Sequence, residues 1–120
     1  MARNLKWTRE ELILALDLYF RLGISSVSQK HPEILELSKI LNALPGKLAA
    51  RDVLRFRNPN GVYMKLCNFL RLDPIYTGVG LSGGGKLEEV IWKEFCDNRL
   101  HLRELAGDIR KSVVIPQPQV

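Results

Sequence analysis

Cysteine and histidine are scarce in this chain, with two of each among 120 residues. Cys67 and Cys96 sit inside apolar periodic segments, and neither has a second cysteine or a histidine at zinc-finger spacing. The pattern gives no metal site, and it fits reduced, buried thiols better than a disulfide framework. His31 and His101 stand apart from each other and from any recognisable nucleophile or base, so a catalytic histidine is not expected. Long apolar runs are missing too. The strongest, LILALDLYF at 12–20, is interrupted by charge and falls short of the roughly 20 residues that cross a bilayer. The opening MARNLKW has no apolar segment with a small-residue cleavage site behind it, so a cytoplasmic address is expected and no membrane partner.

What is present suits an ordinary globular domain. Apolar residues make up 46% and charged residues 26% of the chain, which argues against disorder or a fibrous architecture. At 120 residues one core is the expectation. The net charge is +5, and it is unevenly placed. Residues 47–71 carry Lys47, Arg51, Arg55, Arg57, Lys65 and Arg71 against Asp52 alone, whereas the rest of the chain balances twelve basic against twelve acidic residues. An excess confined to one fifth of the chain suits a face that meets a phosphate backbone, the bland alternative being a solvated basic surface.

Five helices are legible. In WTREELILALDLYFRLG (7–23), Thr8 with Glu11 is a capping box, Trp7 and Leu12 form a hydrophobic staple, and Gly23 is the stop. Leu12, Ala15, Leu16, Tyr19 and Phe20 define its core face. Pro32 opens a second helix after His31, with Ile34, Leu37, Leu41 and Leu44 on one side and Pro45–Gly46 closing it. The stretch 47–56 reads as a short helix or a helix with an extended end. A helix from Gly61, capped by Asn60, buries Val62, Leu66, Phe69 and Leu70. A fourth from Lys86 to Phe95 puts Leu87, Val90, Ile91 and Phe95 inward, and Glu88, Glu89 and Glu94 read as solvated. A fifth follows an Asp97 or Asn98 cap. The fold class is therefore mainly α, a single domain over 1–112 with at most one small strand pair, and the Pro/Gln-rich 113–120 reads as the start of a linker.

RFRNPNGVYMKLCNF (55–69) is the most irregular and most basic part. A helix N-terminus offers free N–H groups and partial positive charge, so Arg55, Arg57, Asn58, Asn60 and Gly61 gathered there suit a phosphate. Asparagine and arginine are also the side chains that read adenine and guanine edges. The glycine-rich loop before Lys86 could lie against a DNA backbone or simply connect. It fails the nucleotide-binding pattern because Leu87 follows the lysine.

Taken together, WTREELILALDLYF, HPEI, RFRNPNGVYMKLCNFLRLDP, the GGGK loop and EVIWKEF resemble the N-terminal DNA-recognition region of bacterial HNH-type, modification-dependent (type IV, McrA-like) restriction endonucleases. The resemblance spans roughly 6–110. It implies a non-catalytic specificity domain without cofactor, whose C-terminal nuclease module is separate, and whose partner is double-stranded DNA carrying 5-methylcytosine, 5-hydroxymethylcytosine or a phosphorothioate link. On this reading Arg55, Arg57, Lys65 and Lys86 meet phosphates, Asn58, Pro59, Asn60, Gly61 and Tyr63 shape the recognition site, and Arg51, Ser82 and Gly84 also belong to the DNA-binding surface. Tyr63, Tyr76 and Trp92 would wall a pocket for an extruded base. Pro59 beside an arginine would instead suit a sulfur atom. A protein-interaction module with a basic face and a general DNA-binding domain are the alternatives. Arg57→Ala is expected to weaken DNA binding more than Lys39→Ala.

Overall fold

The computed structural model describes residues 6–23, 28, 30–44, 57–73 and 85–113, of which 76% are helical. Five α-helices follow in chain order: α1 (Arg9–Leu22), α2 (Pro32–Ala43), α3 (Pro59–Leu70), α4 (Lys86–Phe95) and α5 (Arg99–Lys111). No strand occurs among the described residues. The segment 47–56 and the anticipated linker from 114 onwards lie outside them.

The helix starts follow from local chemistry. Thr8 caps α1, its hydroxyl accepting the Glu11 N–H at 3.3 Å while Glu11 Oε1 accepts the Thr8 N–H at 2.9 Å. His31 caps α2 through Nδ1, which accepts the Glu33 N–H at 3.1 Å, and Pro32 sits in the first turn, where a missing N–H costs nothing. In α3 the cap is Asn58 and not Asn60: its Oδ1 accepts the Gly61 N–H at 2.7 Å, and Pro59 is the first helical residue. The anticipated start at Gly61 was late by two positions because Pro59 is favourable inside a first turn as well as before one.

α1 is the centre of the bundle and packs against all four other helices. The expected core face holds, but Ile13, Leu14, Asp17 and Leu18 are buried too, so every residue from Glu11 to Tyr19 is enclosed. Neighbours on all sides turn a one-faced pattern into a fully buried helix. Ile34, Leu37 and Leu41 of α2, Val62, Leu66 and Phe69 of α3, and Leu102 and Ala106 of α5 complete the core.

Two expectations on α4 fail together. Leu87 and Val90 are exposed at 38% and 52%, and the buried set is Glu88, Ile91, Trp92 and Phe95. Trp92 therefore walls no open pocket. Its ring lies 5.4 Å from Phe20, 6.0 Å from Tyr19 and 6.4 Å from Phe69 between centroids, within an aromatic cluster of the core. The Tyr19 hydroxyl donates to Asp73 Oδ2 at 2.7 Å, which fixes the end of α3 to α1. Burial, reinforced by that bond, pushes the Tyr19 hydroxyl well above its ordinary titration range.

Candidate nucleic-acid interface

The segment before α1, the middle of α3 and the start of α4 converge on a cleft of about 410 Å³ lined by Lys6, Trp7, Leu12, Lys65, Gly85, Lys86, Leu87 and Glu88. Lys6 and Lys86 are exposed at its rim. Lys65 lies deeper, its side chain 16% exposed, and its ammonium meets Glu88 Oε1 at 2.5 Å. Trp7 stands between two cations: the Arg57 guanidinium carbon is 4.8 Å from the ring centroid and Lys65 Nζ 5.4 Å. Both distances fall within the range at which a ring quadrupole attracts a cation.

Glu88 is held from two directions. Oε2 accepts the Gly85 N–H at 2.6 Å, the capping interaction of α4, while Oε1 takes Lys65. Burial alone would raise this carboxyl. The Lys65 hydrogen bond and charge, with the backbone N–H groups of Glu88 and Gly85, outweigh burial and hold it below the usual carboxylate range. The expectation of a solvated Glu88 is thus overturned. Glu89 and Glu94 are engaged as well, with Arg71 at 3.1 Å and Arg9 at 2.5 Å.

Arg57 does not present its charge at the surface. It is 5% exposed, its Nε donating to Glu11 Oε2 at 2.6 Å and its Nη2 to Glu11 Oε1 at 3.0 Å. Its backbone adopts φ 45°, a left-handed conformation uncommon outside glycine. The conformation aims the Arg57 carbonyl at α2, where the Ser38 hydroxyl donates at 2.6 Å and the Asn42 amide at 3.4 Å. One residue thereby ties α1, α2 and the start of α3 together. Arg57→Ala consequently reads out stability before any ligand contact, and it is not the clean probe anticipated from sequence.

The other anticipated site residues divide into four groups. Lys65 and Lys86 come together in the cleft. Asn58, Pro59 and Gly61 form the first turn of α3, and a Cβ on Gly61 would meet Asn58 Oδ1 at 3.1 Å, so this glycine leaves room for the cap. Asn60 is exposed, and Tyr63 is half-buried against the core, where the neighbouring Cys67 thiol raises its pKa. Arg51, Arg55, Ser82, Gly84 and Tyr76 lie outside the described residues. Lys6, Trp7, Leu87 and Glu88 were not anticipated as a site. Trp7 carried a visible signal as the residue before a cap, but that signal points to packing. Lys6 had none.

Among the described residues no group of three or more His, Cys, Asp or Glu side chains is placed to hold a metal ion, and no helix is long and apolar enough to cross a membrane. Comparison of the chain with protein-family models, curated proteins and solved structures finds no match.

Proposed function

We propose that this chain is a non-catalytic DNA-binding specificity domain that reads modified DNA on behalf of a separate restriction nuclease module. The observation that carries the reading is the convergence of three lysines on one cleft beside a tryptophan. Phosphate contacts come from flexible ammonium groups at a concave rim, and an aromatic wall offers a surface for a base or sugar. Lys6 and Lys86 supply the rim contacts, and Trp7, Leu87 and the first turn of α3 bound the recognition surface. The net charge of +5 supports the same reading.

The test is fluorescence anisotropy at fixed near-physiological salt with one labelled duplex in four forms: unmodified, 5-methylcytosine, 5-hydroxymethylcytosine and phosphorothioate. Binding at least tenfold tighter to one form, about 1.4 kcal/mol, supports a modification reader and names the mark. Equal binding to all four reduces the function to general DNA binding. No binding to any assigns the lysine cleft to an acidic protein partner.

A further inference from the structure

The three lysines of the cleft are not equivalent. Lys6 and Lys86 are exposed, whereas Lys65 is bound to a carboxylate that is itself 4% exposed. Glu88 cannot follow Lys65 outward, because its second oxygen is fixed to the Gly85 N–H at the start of α4. A phosphate entering the cleft therefore meets two available cations and, beyond them, a neutralised pair whose acidic member repels it. Drawing Lys65 away would leave a buried carboxylate without its counter-charge, which is strongly unfavourable.

We infer that Glu88 is a specificity-determining residue, withholding Lys65 from DNA phosphates so that an ordinary backbone is held by Lys6 and Lys86 alone. The inference rests on the DNA reading above. A reader of rare marks must leave unmodified DNA easily, and non-specific affinity grows with each phosphate neutralised. An anchored carboxylate beside the deepest lysine removes one such contact without removing the lysine. Lys65 then engages only a ligand that competes with Glu88 for its ammonium, which confines its contribution to the correct site.

The experiment is a salt series of anisotropy titrations on an unmodified duplex with wild type, Glu88→Gln, Lys65→Gln and the double variant. Glutamine at 88 keeps a carbonyl for the Gly85 N–H, and glutamine at 65 keeps a donor for Glu88; circular dichroism checks that each is folded. Glu88→Gln is expected to tighten binding and steepen the slope of log K against log salt by about 0.9, the value for one added phosphate contact. The double variant should lose that gain and return to the wild-type slope, while Lys65→Gln alone leaves Glu88 without its counter-charge in the cleft and should weaken binding. No gain in Glu88→Gln, or an equal gain in Glu88→Gln and the double variant, overturns the inference while leaving DNA binding intact. If no variant and no wild-type protein binds DNA, the functional reading itself fails and the inference with it.

Discussion

Arg57 combines a left-handed backbone, a buried guanidinium and a carbonyl captured by another helix. Positive φ at a non-glycine residue is unfavourable by itself, and here three helix contacts hold it. Removing the guanidinium would leave Glu11, 0% exposed, as a buried charge still bound to the Thr8 N–H. Arg57→Ala is therefore expected to destabilise the fold by about 3–5 kcal/mol, read by urea denaturation. Arg57→Lys should fall between, since a lysine cannot donate to both carboxylate oxygens from a planar fork. A loss below about 1 kcal/mol, the range of a surface pair, would show that the pair holds nothing in place.

Glu88 gives a pH-dependent counterpart. Its carboxyl is depressed below the ordinary 4.5, with Lys65 of α3 as the main favourable cause and Lys6 and Lys86 also on the cleft. A depressed carboxyl stabilises the fold fully above its unfolded value, and the contribution disappears as pH falls through the lower folded value. The stability difference between wild type and Glu88→Gln should stay level from neutral pH down to the unfolded carboxyl range and shrink below it. Thermal unfolding of the two proteins across that interval measures this, and a difference unchanged at acid pH would contradict the assignment.

At the scale of elements, the helix caps make separable predictions. The Asn58 side chain accepts a hydrogen bond at the start of α3, whereas Asn98, in the same position before α5, makes none. Asn58→Ala should cost about 1 kcal/mol and Asn98→Ala a few tenths or less, compared by chemical denaturation. Equal costs would mean that the side-chain bond is not what distinguishes them. The α1 cap was readable in the sequence because its partner lies within three residues, Thr8 with Glu11, whereas the α3 cap was expected at Asn60 and lies at Asn58. The buried face of α4 was not readable. A charged residue flanked by Leu87 and Val90 reads as outward by periodicity, yet Glu88 turns inward because Lys65 comes to it from α3, 23 residues earlier. One distant cation rotated the anticipated face and exposed two apolar side chains.

For the molecule as a whole, the cleft lysines should govern salt dependence. On the proposed DNA-binding function, Lys6→Ala and Lys86→Ala are each expected to reduce the salt slope of binding by about 0.9, while Lys39→Ala, exposed on α2, should leave it unchanged. Anisotropy over a salt series reads all three, and equal effects would move the interface away from the cleft.

The chain alone located the five described helices, with α3 placed two residues late, because capping, proline placement and apolar period act over one or two turns. It also determined that basic residues crowd into 47–71. Where those charges point was decided only by tertiary structure. Arg57 is matched by Glu11 of α1, Lys65 by Glu88 of α4 and Arg71 by Glu89 of α4, all three acids lying outside the basic stretch. Among the described residues the exposed lysines of the cleft are instead Lys6 and Lys86, both outside that stretch. The physical reason is range: a hydrogen-bonded cap is fixed by its neighbours in sequence, but a charge is paired by whatever the packed helices bring within about 4 Å of it.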